Sequence, residues 1–345
     1  MKITSPYGKH IPTELRDVYK LASVDELLRR VHRFLTVRYG FKGVRVEEVH
    51  VAFGTAVRFV HAGRSYYLKF TGRANHRDPE GLFRLLEYLR ENRIPLPEVV
   101  RTVDGALFAN ILNGSPYDVT YVMKTLPGRP MAQPSAGRLE GFVNVMAAFH
   151  RLGADYGPKV YAKSRNVYTN FREARETLEG ADGLSAEQQA LLGRTLVYTH
   201  EVPELIKVDD TLSKTHVHGD FRFCHVLFEE GSVSDVIDAE HAEYAERVFD
   251  VCMGLVSHTH PARCLLLNLA EILGCLRRYD ELYPLNEADR RTLKAMMCAL
   301  LNELSGFIRT GRNEMREANA HDLWRVLAEV ERLPGDLGLA PRQVA

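Results

Sequence analysis

The sequence predicts an α+β protein of two lobes, a small antiparallel-sheet lobe followed by a larger helical one. Three observations carry this expectation. Between Val44 and Phe70, short runs alternate in hydrophobicity and are rich in β-branched and aromatic residues, the pattern of a meandering sheet. Beyond Pro130, apolar residues recur at helical spacing over long stretches. A chain of 345 residues also has the length of about two structural units.

In chain order, Val24, Leu27, Leu28, Val31, Phe34 and Leu35 define a helical stripe over Ser23–Val37, which Tyr39-Gly40 interrupts. Strands are expected at Val44–Val51, Ala56–His61 and Ser65–Phe70, separated by Phe53-Gly54-Thr55 and Ala62-Gly63-Arg64. Leu82, Leu85, Leu86 and Leu89 form one helical face from Asp78 to Arg90. That helix should stop before Ile94-Pro95-Leu96-Pro97, because residues preceding proline prefer extended geometry. Val99–Val103, Leu107–Ile111 and Thr120–Met123 are further strand candidates, and Leu126-Pro127-Gly128-Arg129-Pro130 reads as the crossing between lobes. Helices are then expected at Leu139–Leu152, Ser185–Thr199 and Ala288–Thr310, where Met296 and Met297 read as core filling. A cleft between two such lobes is the expected place for a ligand.

Composition narrows the function. Lys plus Arg and Asp plus Glu are both 45, so no global charge draws the chain to nucleic acid or an anionic membrane. The five cysteines form no CxxC pair and are odd in number, which fits a reducing cytoplasm better than a disulfide framework. No secretion signal is expected at the N-terminus, and no segment approaches the length of apolar run that a membrane span needs.

The chemistry concentrates in His218-Gly219-Asp220-Phe221-Arg222-Phe223-Cys224-His225-Val226-Leu227-Phe228 and the strand-like Val233-Ser234-Asp235-Val236-Ile237-Asp238 that follows. Polar residues, an apolar strand, a turn, a second strand and an aspartate make a hairpin that can fix carboxylates while facing them to a cleft. Phosphoryl transfer needs one carboxylate to orient or deprotonate an acceptor hydroxyl and further ligands to hold a divalent cation. Asp220 suits the first task, and Asp238 with the donor at His225 suits the second. By spacing alone, three polar residues around a hairpin serve a structural network equally well. Cys224 reads as a small hydrophobe.

His218-Gly219-Asp220 with Val236-Ile237-Asp238 resembles the signature of the aminoglycoside phosphotransferase and choline kinase superfamily, whose fold is protein-kinase-like. The resemblance implies that Asp220 is catalytic and that Asp238 binds magnesium. It also places His225 where the family carries asparagine, as some macrolide-phosphorylating relatives do, and so implies a second metal ligand there. Tyr66-Tyr67-Leu68-Lys69-Phe70 resembles the strand that presents a phosphate-binding lysine, which makes Lys69 the candidate. The Gly54-Thr55 turn would then cover the phosphates, and Met123, Lys124 and Leu126 would form the strand and hinge that receive adenine. The best alignment puts Leu82 where the family offers a glutamate to the lysine, with Glu80 as a substitute after a shifted helix start and Glu87 facing differently. His150 reads as a buried supporting residue, and Asp250 resembles a bracing aspartate of the family. The similarity runs from about Val37 to Leu304.

The domains implied are a helical extension (1–34), a nucleotide-binding lobe (35–123), a hinge (124–128), a catalytic and substrate-binding helical lobe (129–334) and a C-terminal tail (335–345). The expected function is ATP- and Mg2+-dependent transfer of the γ-phosphoryl group to a hydroxyl of a small metabolite or antibiotic, with no nucleic-acid or membrane partner. The alternative is a catalytically weak nucleotide-binding regulator or scaffold.

Overall fold

The computed structural model describes residues 1–4, 20–51, 55–71, 78–111, 119–125, 127–131, 133–161, 185–208, 211–256, 267–309 and 316–334. The chain divides into two compact units, Met1–Leu126 with Val160–Ser164, and Pro127–Lys159 with Arg165–Ala345. The first is a small β-sheet lobe and the second a larger helical lobe, as the sequence predicts.

The first unit holds a six-stranded sheet in the order β1-β2-β3-β4-β6-β5. Its strands are β1 (Lys2–Thr4), β2 (Arg45–Val51), β3 (Thr55–His61), β4 (Arg64–Thr71), β5 (Val99–Val100) and β6 (Val119–Lys124). β1 joins parallel to β2 and the other pairings are antiparallel. Helix α1 (Val24–Tyr39) begins where the Ser23 hydroxyl accepts the Glu26 amide and ends at Gly40, whose left-handed φ of 69° closes the last turn. Its Leu27, Val31, Phe34 and Leu35 share one core with Val57, Phe59, Leu68 and Phe70 of the sheet. Helix α2 (Pro79–Glu91) contributes Phe83 to a separate cluster with Tyr121 and Met123, against which Tyr67 and Leu86 pack. Strand alternation thus sends Tyr66, Leu68 and Phe70 to the α1 core, and leaves Tyr67 and Lys69 on the α2 side.

Two expected strands are cut short. Val99–Val103 reduces to β5, and Leu107–Ile111 contributes only the bridge Ala109–Thr120. Between them the Thr102 amide donates to the Ala106 carbonyl (2.8 Å) and the Thr102 hydroxyl to Asp104 (2.5 Å). Those local bonds give the backbone a turn in place of a ladder.

In the second unit, β7 (Arg129–Pro130), β9 (Val226–Glu229) and β10 (Ser232–Val236) form one small sheet, and β8 (Lys214–Val217) pairs with β11 (Glu243–Glu246) in another. Helices α3 (Ala136–Asp155), α4 (Ala186–Val208), α5 (Val248–Val256), α6 (Leu269–Leu282), α7 (Glu287–Arg309) and α8 (Arg316–Glu331) make up the rest. α3 packs on β8, β10 and α6, while α7 packs against α4, α5 and α8. The sequence reading did not place α5, since every residue of it is buried and it carries no polar face to reveal a period. Among the described residues, no helix is long and apolar enough to cross a membrane.

Candidate active site

The His218–Asp238 hairpin is held by aromatic side chains. Phe221 and Phe223 are buried, and between and beside them Asp220, Arg222 and Cys224 stay partly exposed. The Phe142 ring of α3 meets Phe221 edge-on at 5.3 Å and Phe223 at 4.3 Å, so two anchors fix the loop while the polar residues face outward. Gly219 has a φ of 78° and lies against the His241 carbonyl, where a Cβ would collide.

Asp250 of α5 braces the loop from below. Its two oxygens accept the amides of His218 (2.5 Å) and Gly219 (2.9 Å). The His218 ring bridges the hairpin: its Nδ1 accepts the Asp220 amide (3.2 Å) and its Nε2 donates to the Ile237 carbonyl (2.9 Å). Burial outweighs the nearby Asp250 carboxylate and lowers the His218 pKa, in keeping with this neutral, bridging ring.

His225, on a short 3-10 turn (Phe223–His225), lies between the two aspartates that the sequence singled out. Its Nδ1 donates to the Asp220 carbonyl at 2.8 Å, and its Nε2 lies 3.3 Å from Asp238 Oδ2. Burial opposes the charged ring, but Asp238 and Asp220 prevail and push its pKa up to about 10. Asp238 adopts a left-handed φ of 64°, uncommon for a residue other than glycine and frequent at functional positions. Burial also opposes ionisation of Asp220. The Arg222 guanidinium in contact with it, together with His225 and His241, overcomes that cost and holds the carboxyl below its ordinary range. Among the described residues, no group of three or more His, Cys, Asp or Glu side chains is arranged to hold a metal. Asp238 offers a carboxylate to a divalent cation, and His225 can join it only once its ring gives up the Nε2 proton that faces Asp238, the other positions falling to phosphate oxygens and water.

In the sheet lobe, Lys69 stands opposite Ala56 and Tyr121 in the register, on the side of the α2 cluster. Thr55 is buried at the start of β3, and Gly54 lies outside the described residues. Met123 is buried, and the Lys124 ammonium pairs with Glu98 at 2.6 Å. The Lys124 and Thr125 amides donate to the Glu98 and Ser65 carbonyls, so both are already engaged within the lobe, and Leu126 lies outside the described residues. On α2, Leu82 is buried, Glu80 pairs with Arg84 and Glu87 with Arg101.

Sequence reasoning missed Arg222 and His241 beside Asp220. Arg222 carried one usable signal, its place in the Asp-Phe-Arg-Phe alternation that buries the rings and exposes the charges.

A small sheet lobe, a helical lobe and a hairpin that gathers Asp220, His225 and Asp238 define a protein-kinase-like phosphotransferase fold. The model of the phosphotransferase enzyme family matches residues 53–285, more than half of the chain, and the chain belongs to that family. Three solved structures are similar over most of both chains. A microcompartment-associated aminopropanol kinase shares 15% identity at a TM-score of 0.69, over 91% of this chain and 99% of its own. An amicoumacin kinase in complex with AMP-PNP, Ca2+ and Ami shares 16% identity at 0.62, over 87% and 96%. A spectinomycin phosphotransferase with ADP and spectinomycin shares 13% identity at 0.57, over 86% and 93%. At these identities the likeness is one of fold. No curated protein matches the chain.

Proposed function

We propose that the chain transfers the γ-phosphoryl group of ATP to a hydroxyl of a small molecule, a metabolite or an antibiotic, in a reducing cytoplasm. The observation that carries the reading is the His225 bridge, which holds Asp220 and Asp238 on opposite arms of one hairpin. Asp220, kept ionised by Arg222 and the surrounding histidines, orients the acceptor hydroxyl and takes its proton late in transfer. The acceptor oxygen bonds to the γ-phosphorus as the bond to the β–γ bridging oxygen breaks, and ADP leaves. Asp238 and His225, the latter in place of the family asparagine and with its Nε2 proton released, are the residues that would hold Mg2+, which neutralises phosphate charge when bound. In the sheet lobe (35–123) Lys69 contacts the phosphates under the Gly54-Thr55 turn. Met123, Lys124 and Leu126 border the adenine.

The second reading, a nucleotide-binding regulator without turnover, draws on buried Leu82 at the position expected for the lysine's glutamate partner. One experiment separates the two. The full chain is incubated with γ-labelled ATP, Mg2+ and a library of aminoglycosides, macrolides, hydroxy amino acids, sugars and choline. Label should pass to one hydroxyl-bearing class, and Asp220→Ala should lower kcat about 10²–10⁴-fold with little change in nucleotide affinity. Nucleotide binding with no acceptor labelled would favour the second reading, and undiminished turnover in the Asp220 variant would reject the mechanism.

A further inference from the structure

Beneath the catalytic loop, three helices each send one polar side chain into the core. Tyr279 of α6, His150 of α3 and Asp250 of α5 are all at most 1% exposed. His150 Nε2 lies 3.1 Å from Asp250 Oδ2, and His150 Nδ1 lies 2.7 Å from the Tyr279 hydroxyl. Asp250 then hands the contact on to the His218 and Gly219 amides, directly before Asp220.

The chemistry of the donors gives this chain a direction. A carboxylate that accepts two amides can only accept from the ring as well, so His150 Nε2 carries the proton. A ring that carries only that one proton turns an Nδ1 lone pair to Tyr279, whose O–H is the donor that meets it. Burial raises the Tyr279 pKa far above its ordinary value, which keeps the phenol protonated and able to donate. Without that hydroxyl, His150 Nδ1 is a buried acceptor with its donor gone. The ring is then held only through its Nε2–H bond to Asp250 and is free to tilt. A tilted ring draws the carboxylate away from the two amides it holds.

We propose that Tyr279 is a positioning residue for the catalytic loop, fixing the orientation of the His150 ring through which Asp250 holds His218 and Gly219 in front of Asp220. The inference rests on the phosphotransfer reading only where turnover is measured; the loop geometry can be tested without it.

The test uses the full-length protein and Tyr279→Phe. Imidazole nitrogen shifts of the wild type, assigned with His150→Gln, should show the Nε2–H tautomer for His150. In Tyr279→Phe, amide exchange in peptides spanning residues 216–221 should quicken about tenfold, and kcat should fall by about the same factor with the nucleotide KM unchanged. Tyr283→Phe alters the neighbouring tyrosine, whose ring lies 6.4 Å from Tyr279 but outside the relay, and should leave both readouts as they were. An Nδ1–H tautomer in the wild type overturns the proposal, and this decides the matter even if Tyr279→Phe does not fold. Unchanged exchange in a folded Tyr279→Phe protein overturns it too, as does equal acceleration in the Tyr283 variant. If the loop loosens as expected while wild type phosphorylates no acceptor, the positioning role stands and the phosphotransfer reading falls.

Discussion

Arg247–Asp289 and Arg222–Asp220 are both arginine–aspartate pairs of the helical lobe, yet one is closed on every side and the other is open. The Arg247 side chain is 3% exposed and that of Asp289 0%, with 2.6 Å between them. The guanidinium also donates to the Tyr283 and Pro284 carbonyls and to the Ser213 hydroxyl, and it lies over the Tyr283 ring. Asp289 in turn accepts the Ser213 and Asn286 amides. Arg222 and Asp220 are 19% and 20% exposed, and among the described residues Asp220 is the acceptor that Arg222 meets. A pair with every donor and acceptor used ties helices and strands together and has no capacity left for a ligand. A pair that meets at one contact on a partly exposed loop leaves guanidinium donors uncommitted among the described residues. Buried Asp235 of β10 is a third case: it is 1% exposed and its Oδ1 has no hydrogen-bond partner among the described residues.

Asp289→Ala should have the largest effect on stability, because it leaves the Arg247 charge buried without its counter-ion. A loss of about 3–5 kcal/mol in urea unfolding is expected, and a loss under about 1 kcal/mol would show that the pair is not the tie described. Asp235→Asn comes next and is read through pH. Burial, partly offset by the Val236 amide, pushes the Asp235 carboxyl up to about 7. A raised folded-state value means that this group's contribution is fully present below its unfolded value and is lost as pH rises through about 7. Wild type and Asp235→Asn should therefore unfold alike at about pH 4, with the variant the more stable at about pH 8. Parallel stability profiles across that range would mean that the carboxyl has a partner or reaches water. Arg222→Ala should be mildest, costing below about 1 kcal/mol in the same unfolding assay, as for partly exposed pairs. A cost matching that of Asp289→Ala would erase the distinction between the two pairs.

The sequence alone determined a good part of this. Periodicity placed α1, α2 and the β2–β3–β4 meander, because one buried face per element leaves a readable pattern. The spacing from His218 to Asp238 marked the hairpin, and the resemblance of His218-Gly219-Asp220 and Val236-Ile237-Asp238 to a family signature nominated Asp220, His225 and Asp238. Elements buried on all sides, such as α5, gave no period, and the Thr102–Ala106 turn broke strands that propensity favoured.

What only the tertiary structure decided is how the nominated residues are held and which others join them. Arg247 and Asp289 are 42 residues apart, and His150 and Tyr279 are 129 apart. Hydrogen bonds act over about 3 Å, so such partners are fixed by helix packing and leave no spacing to read in the chain.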